Sequence, residues 1–346
     1  MPTRLVVRRV ILAALIIGFA WASEAVASSA SPCSESTLFP DFRCPDRSAR
    51  PENAFNPMGM PFLFEDPYIT TGLNFAYVYH RLPEGPAFEG GEAQVLALQI
   101  RAAITEKLGF IATKDGLTFL RPGTGAAVAE DTGIFDMTVG FKYALFESEE
   151  NNFILSPAIR YEIPLGSKKL FQRNGDGVII PSASFRWGLG KLGLDGANII
   201  GGLGGQIPVD SASGSQSLFY NLHLDYGIKV ENSVVKYIVP FIELNGIHYT
   251  EGGDGTKPVY LSPLYGGSTI TITAAQLALG TGPFEAGDVA NLGSTGVAGQ
   301  DIVVLGGGIR IPTEWDISFG LLYEGPITST QGIHDQRFTF MATWEL

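Results

Sequence analysis

The sequence alternates between apolar and polar residues with a period of two over stretches of about ten residues. In the clearest stretch, 136–145, one face of the extended chain carries only apolar side chains: Met137, Val139, Phe141, Tyr143 and Leu145. Such alternation indicates a β-strand with two chemically different faces. The pattern recurs at 218–228 and 315–323. Because soluble strands average about five or six residues, these longer strands favour a tilted sheet that spans a bilayer.

The alternation predicts twelve strands, joined by connections that are long and short in turn. The strands are predicted at 70–80, 94–104, 107–114, 134–146, 153–164, 178–188, 197–207, 217–229, 236–248, 301–311, 315–325 and 337–346. The long connections are 81–93, 115–133, 165–177, 208–216, 249–300 and 326–336. Long extracellular loops and short periplasmic turns are typical of outer-membrane barrels. The predicted fold is therefore all-β, a transmembrane, antiparallel, up-and-down β-barrel of about 12 strands. A soluble β-sandwich with shorter strands is the alternative.

The first 27 residues have the three parts of a secretory signal peptide. Arginines near the start form a basic region, an apolar run follows at 10–20, and Ala25–Ala27 supplies a small-residue cleavage site. An uncleaved anchor helix would need a longer apolar run. We therefore expect residues 1–27 to be removed on export to the outer membrane. The net charge of −12 argues against nucleic acid as a partner.

Residues 28–68 precede the first strand and show little periodicity. An apolar cluster near the end of this segment favours burial, so it is predicted to be either a periplasmic arm or a plug within the barrel. The two cysteines, Cys33 and Cys44, are predicted to form a disulfide in the oxidising periplasm. Lipid attachment at Cys33 is the alternative, but the residues before it lack the leucine-led pattern. The barrel is then 69–346, with a long extracellular loop at 249–300.

If the apolar faces of the strands meet lipid, the polar faces point into the lumen. The resulting lumen-lining candidates are Gln99, Arg101, Asp136, Lys142, Arg160, Glu162, Arg186, His223, Asp225, Glu243, Asn245, Asp316 and Glu324. Their mixed charges suit a narrow pore whose opposed charges set selectivity. They equally suit a salt-bridged, filled interior that holds the barrel closed. Arg160 and Glu162 are the strongest candidates for a role in the lumen.

The last strand carries an alternating aromatic pattern, which barrel-assembly machinery reads as an address. Its outward residues are Phe338, Phe340, Trp344 and Leu346. The chain departs from the usual pattern by ending in Leu346, where Phe or Trp is more common. The expected partners are outer-membrane lipid, the assembly machinery and a small-molecule solute.

The sequence shows no arrangement typical of catalysis. None of the histidines, His80, His223, His248 and His334, accompanies a nucleophile motif such as G-x-S-x-G. The G-x-G-x-x-G match at 188–193 follows a strand but opens no helix, so it predicts a periplasmic turn rather than a dinucleotide site. We therefore expect no enzymatic activity, no cofactor and no metal site.

Several short segments resemble the outer-membrane family named for the meta-pathway of phenol degradation. They are Gly133–Tyr143, Ser156–Gly166 and Val239–Gly246, together with the closing strands. The resemblance extends over 70–346 and implies a channel or transporter for aromatic and other small hydrophobic compounds. The resulting hypothesis is passive uptake of small molecules of this kind. The alternative is a structural or surface-interaction barrel with a closed lumen, whose loop 249–300 binds a partner.

Overall fold

The computed structural model describes residues 50–231, 234–254, 256–273, 285–329, 332–333 and 335–345. Its strands in chain order are β1 (Gly72–Arg81), β2 (Gly91–Ala103), β3 (Leu108–Lys114), β4 (Gly116–Pro122), β5 (Asp131–Ile134), β6 (Met137–Tyr143), β7 (Phe146–Ser148), β8 (Phe153–Ile163), β9 (Val178–Gly188), β10 (Ala197–Pro208), β11 (Gln216–Tyr226), β12 (Ile228–Lys229), β13 (Tyr237–Glu251), β14 (Thr256–Tyr260), β15 (Thr269–Thr273), β16 (Asp301–Pro312), β17 (Ile317–Pro326) and β18 (Gln336–Glu345). None of the helices in these residues is long and apolar enough to cross a membrane.

The main sheet closes on itself into a barrel of twelve antiparallel strands. Strand β1 pairs with β2 on one side and with β18 on the other, which closes the ring. The ring continues from β2 through β3, β6, β8, β9, β10, β11, β13, β16 and β17 to β18. Shorter strands extend the sheet beyond the ring strands. Strands β4 and β5, which lie between β3 and β6 in the sequence, pair with each other. Strand β7 pairs with β8, and β12 pairs with β13. The prediction of an all-β, antiparallel, twelve-stranded barrel is confirmed.

The predicted loop at 115–133 is wrong, because β4 and β5 occupy most of it and leave only 123–130 as the connection. A β-bulge between Ala112 and Lys114 shifts the register at this point. A bulge places two residues of one strand opposite a single residue of its partner, so it interrupts the period of two. The alternation that identifies the other strands therefore stops at the bulge, although the sheet continues.

The predicted start of the strand at 315 also needs correction. Trp315 is exposed in the turn that precedes β17, which begins at Ile317. The neighbouring Asp316 has a positive φ of 58°, a backbone conformation that belongs to turns rather than strands. Trp315 and Ile317 are two positions apart, which is the spacing of residues on one face of a strand. Alternation alone therefore assigns the turn residue Trp315 to the strand.

The outward face of the barrel is apolar and exposed. Its large side chains include Phe75, Leu98, Phe141, Ile159, Leu203, Leu222, Ile242, Leu305, Phe319 and Leu321, each from a strand of the ring. Soluble monomers rarely expose a contiguous apolar patch of more than a few hundred Å². Aromatic side chains lie near the end that carries the short connections, which we call the turn end: Tyr143, Trp187, Tyr226 and Trp344. The opposite end, with the long connections, is the loop end.

We expect the folded protein to migrate faster than the unfolded chain on an SDS gel. A closed ring has no edge strand from which hydrogen bonds can be lost one strand at a time, so detergent alone should not open it. The measurement compares samples loaded at room temperature with boiled samples, and a urea-unfolded sample serves as the control. Identical migration before and after boiling would contradict a closed barrel.

Candidate functional site

Buried polar and charged side chains line the interior of the barrel. Most of the lumen-lining candidates are buried on the inward side of their strands: Gln99, Arg101, Lys142, Arg160, Arg186, His223, Asp225, Glu243, Asn245 and Glu324. Glu162 also faces inward, where its carboxylate lies 2.9 Å from the ammonium group of Lys114. Lys114, Arg310 and Arg337 are buried in the same interior without having been singled out from the sequence. Strand alternation predicts inward positions for Arg310 and Arg337, whereas the bulge hides that of Lys114.

Two candidates lie between strands rather than within them. Asp316 lies in a turn at the turn end, where its carboxylate is exposed 3.9 Å from Lys236. Asp136 is buried between β5 and β6, and its carboxylate accepts hydrogen bonds from the backbone N–H groups of Gly166 and Arg173 at 2.8 and 2.9 Å. Asp136 therefore holds the long loop between β8 and β9 against the wall. Asp136 is nevertheless buried, as alternation predicts, whereas Asp316 is exposed in a turn where alternation does not apply.

A segment that precedes β1 fills the turn-end half of the lumen. We call residues 50–71 the plug segment. Its apolar side chains take part in four clusters with wall residues, and the two largest contain Met58 and Phe62, and Met60, Leu63 and Phe64. Burial of such side chains stabilises by about 1.5–3 kcal/mol each. The sequence is compatible with either an arm or a plug at residues 28–68; in the structure, residues 50–68 contact inward-facing side chains of the ring.

Several wall side chains donate hydrogen bonds to backbone carbonyl groups of the plug segment. Arg160 donates hydrogen bonds to the carbonyl oxygens of Phe62 and Leu63 at 3.0 and 2.8 Å. Three further donor and carbonyl pairs are Gln99 to Pro61 at 2.6 Å, Ser156 to Pro67 at 2.6 Å and Asn198 to Asn53 at 2.7 Å. These bonds satisfy carbonyl groups that have no sheet partner. They depend on the path of the plug backbone, which explains why the sequence pattern does not reveal them.

One buried carboxylate of the plug segment is held by two wall cations. Arg101 makes a two-point contact with Glu65, with both N···O distances at 2.8 Å, and Lys142 lies 3.0 Å from the same carboxylate. Burial by itself raises the pKa of a carboxyl group. The positive charges of Arg101 and Lys142 outweigh burial and lower the pKa of Glu65 below its ordinary value of 4.5. Glu65 therefore stays ionised and tethers the plug segment to β2 and β6.

A second contact that holds the plug segment lies farther from the turn end, at Gly59. The carboxylate of Glu243 accepts hydrogen bonds from the backbone N–H groups of Met58, at 2.8 Å, and of Gly59. A methyl group on Gly59 would lie closer than 3.0 Å to the side chains of Glu243, Asn245 and Glu324. Any larger residue at this position would therefore require the ends of these buried side chains to move.

A chain of polar contacts runs across β10, β11 and β13. Asn198 donates a hydrogen bond to Asp225 at 2.6 Å. The ring nitrogens of His223 lie 3.0 Å from Asp225 and 2.6 Å from Glu243. A protonated imidazole donates at both nitrogens and so satisfies both carboxylates. This side of the wall therefore carries cations and anions in direct contact with one another.

A second segment fills the loop-end half of the lumen. We call residues 285–299 the inner loop. The carboxylate of Glu285 accepts hydrogen bonds from the N–H groups of Leu292 and Ser294 at 2.8 Å each, and from the Ser215 hydroxyl at 2.6 Å. The carboxylate of Asp288 lies 2.9 Å from Arg337. The long connection at 249–300 thus contributes an external hairpin, β14–β15, and an internal segment.

The plug segment and the inner loop meet at a small cavity in the lumen. The cavity between them has a volume of about 10 Å³ and is lined by Phe62 and Leu63 of the plug segment, Asp288 and Asn291 of the inner loop, and wall residues that include Glu162. That volume corresponds to about one water molecule. Where the two segments meet, the described residues therefore leave no room for a solute larger than water.

Some of the features predicted from the sequence involve residues outside the described ranges. The signal peptide, Cys33, Cys44 and Leu346 lie outside the described residues. Phe338 and Trp344 of the last strand point outward from the barrel, and Phe340 stacks on Phe319 with ring centroids 6.4 Å apart. Within the described ranges, no group of three or more His, Cys, Asp or Glu side chains is placed to hold a metal ion.

We expect Glu65→Gln to loosen the plug segment. Loss of one partner from a buried ion pair costs about 3–5 kcal/mol, because the remaining charges stay buried. The lowered pKa keeps the Glu65 carboxylate charged as the pH falls through 4.5, so its stabilising effect should be lost only in stronger acid. Hydrogen exchange at the Met58 and Gly59 amides, corrected for the intrinsic pH dependence, measures the change.

The matched control for this prediction is Glu52→Gln. Glu52 is an exposed glutamate at the start of the plug segment, 3.8 Å from Lys229. Its replacement should leave the exchange rates unchanged. Equal exchange in wild type and Glu65→Gln across the pH range would show that Glu65 does not anchor the segment.

No known protein family and no curated protein matches the sequence. Among solved structures, an outer membrane channel from Pseudomonas putida F1 is 10% identical, with a TM-score of 0.47, over 85% of this chain and 100% of that chain. The β-domain of the Bordetella autotransporter BrkA is 10% identical, with a TM-score of 0.41, over 80% and 100% of the two chains. The deltaS2S3 mutant of the monoaromatic hydrocarbon channel TodX is 9% identical, with a TM-score of 0.31, over 83% and 91%. Similarity at this level carries no conclusion about function.

Proposed function

We propose that the protein is an outer-membrane channel for the passive uptake of small molecules, closed in the described state by the plug segment. The observation that carries the proposal is the way in which the lumen is filled. Two separate chain segments occupy it, while the wall around them is lined with charged and polar side chains. A barrel that serves only as a scaffold can be filled by the side chains of its own wall. A lumen with a polar wall that is occupied by displaceable chain segments suits a gated pore.

The proposed location of the barrel in a membrane is based on its apolar outer surface. Exposed apolar side chains cover the strands, and aromatic residues lie near the turn end. Closed barrels cross bilayers because every backbone group of the ring is paired within the sheet. We further propose that residues 1–27 are a cleaved export signal, that Cys33 and Cys44 form a disulfide, and that the last strand is recognised by the assembly machinery. No catalytic step is part of the proposal.

The route through the lumen opens without disrupting the barrel. The plug segment is continuous with β1 at one end only, and it enters from the turn end. Its contacts with the wall combine hydrogen bonds to carbonyl groups, for which water is an alternative partner, with the Glu65 and Glu243 contacts and apolar packing. Displacement of the segment therefore leaves the ring of strand pairs intact. The proposal of aromatic or hydrophobic solutes as the cargo rests only on short segments that resemble the phenol meta-pathway family, since no family model matches the chain.

The test of the channel proposal is conductance in planar bilayers, with wild type compared with Arg160→Gln. Arg160 holds two plug carbonyls, so its replacement should raise the fraction of time that the pore is open. Arg310→Gln is the matched control, because Arg310 is equally buried but bonds to the wall residues Ser318 and Thr343 at 2.9 and 3.3 Å. A barrel that passes neither ions nor small solutes, in wild type and in Arg160→Gln alike, would contradict the proposal.

A surface-interaction barrel is the second candidate, and the external hairpin favours it. Strands β14 and β15 pair with each other, and the hairpin is attached to the loop at 123–130 by a bridge between Val128 and Leu261. The tip exposes Leu264 by 74% and Tyr265 by 54%. On this reading the lumen never opens, and deletion of 256–273 abolishes binding to an external partner. Conductance that survives this deletion favours the channel.

A further inference from the structure

Three wall cations surround the single carboxylate of Glu65. Arg101 and Lys142 contact it directly. Arg160 lies on the same wall, and its partners are the Phe62 and Leu63 carbonyls and the hydroxyl of Thr113 at 3.3 Å. All of these Arg160 partners are neutral. Arg50 and Asp66 lie beside this group and pair with each other at 2.7 Å, so their charges cancel and the group contains more positive than negative charge.

The cations also have unused hydrogen-bond donors. Nη1 of Arg101 and Nε of Arg160 are buried and have no hydrogen-bond acceptor among the described residues. Buried guanidinium groups are normally paired and hydrogen-bonded, because an uncompensated buried charge is costly. The three cations therefore have both charge and donors available for an anion larger than one carboxylate group.

Most of the unpaired positive charge lies on one side of the lumen; across from it, Arg310 on β16 is a single buried cation with the neutral partners Ser318 and Thr343. On the opposite side, His223 lies between two carboxylates, and Arg337 between Glu324 and Asp288. Arg186 lies on β9, the strand that follows β8 in the ring. It donates hydrogen bonds to neutral groups such as the Tyr68 hydroxyl, at 2.9 Å. A lumen without the plug segment would therefore present a positive wall along β2, β6, β8 and β9.

We infer that Arg101, Lys142 and Arg160 form an anion seat, which Glu65 occupies in the closed barrel and which takes the carboxylate of a small organic acid when the plug segment leaves. The inference rests on the proposed channel function and names its substrate class. The two-point contact between Arg101 and Glu65 is the geometry that guanidinium groups adopt with planar carboxylates. Substrate and plug segment then compete for one site, so a carboxylate solute favours the open lumen.

Acetate binding to the full-length variant Glu65→Ala tests the seat. Glu65→Ala vacates the site, so ¹³C-acetate should bind at least tenfold more tightly than to wild type, measured by NMR line broadening in detergent micelles. Acetamide has the same shape as acetate without the charge, so it should not compete with acetate for the site. Inorganic phosphate is the second competitor, and its affinity relative to that of acetate distinguishes a carboxylate site from a general anion site. Glu52→Ala is the matched control and should behave as wild type. Addition of Arg101→Gln to Glu65→Ala should abolish binding, and Arg310→Gln should not.

A second measurement uses wild-type protein and does not depend on the folding of a variant. Rising acetate should increase hydrogen exchange at the plug amides severalfold over chloride at equal ionic strength. Equal exchange in acetate and chloride, or equal acetate affinity in Glu65→Ala and wild type, would overturn the seat. Tighter binding of phosphate than of acetate would overturn its assignment to carboxylates. Acetate binding together with a barrel that never conducts would instead contradict the proposed channel.

Discussion

A chain that lacks Phe338–Leu346 should fail to assemble in the membrane. Strand β18 pairs with β17 on one side and with β1 on the other, so its loss opens the ring and leaves two unpaired edges. Each unsatisfied backbone group in the apolar region of a bilayer costs several kcal/mol, and no water is available there as a partner. The truncation also removes the outward aromatic residues Phe338 and Trp344. Membrane fractionation and heat-dependent gel migration measure the loss.

Deletion of the external hairpin at 256–273 is the control for this truncation. It removes more residues, but β14 and β15 pair with each other rather than with the ring. The barrel should therefore assemble normally without them. Normal assembly of the chain that ends before Phe338 would show that β18 does not close the barrel.

Replacement of Gly59 by alanine should displace the plug segment and open the lumen. The added methyl group would meet the buried side chains of Glu243, Asn245 and Glu324 closer than 3.0 Å. Overpacking of this kind costs about 1–3 kcal/mol, and the Glu243 carboxylate would lose its backbone partners as well. The equilibrium between closed and open lumen should therefore shift by roughly tenfold to a hundredfold. Conductance in planar bilayers should rise accordingly, with no change in wall charge.

Gly325→Ala is the matched control, because no heavy atom lies within 4 Å of the methyl group it would add. This variant should conduct as wild type does. If Gly59→Ala folds into a barrel and conducts no more than Gly325→Ala, the plug segment is not the gate.

The strands could be predicted from sequence because each has one face toward the apolar exterior and one toward the lumen. Phe141 and Lys142 are adjacent, yet the first is exposed on the outside and the second is buried inside. A period of two records this geometry directly. The prediction fails where the geometry is interrupted, at the bulge beside Lys114 and in the turn at Trp315.

The filling of the lumen could not be predicted in the same way. The plug segment and the inner loop have no regular period, and the wall binds them through backbone carbonyls and N–H groups that every residue carries. Glu285 and Asp288 are functional candidates that the sequence did not single out, because they lie in a Gly-rich connection without strand alternation. The pairing of Glu65 with Arg101 joins residues on a plug and a strand, and only the fold brings them together.

The central claim is that solutes cross through the lumen once the plug segment moves. The most direct test labels a cysteine at Ser156, whose hydroxyl donates a hydrogen bond to the plug carbonyl of Pro67. The background carries Gly59→Ala, with Cys33 and Cys44 replaced by serine. A bulky, water-soluble maleimide should react with Ser156→Cys and block the current, whereas Ile159→Cys, on the exposed outer face of the same strand, should give no block. A current that persists unchanged after complete labelling of Ser156→Cys would contradict passage through the lumen.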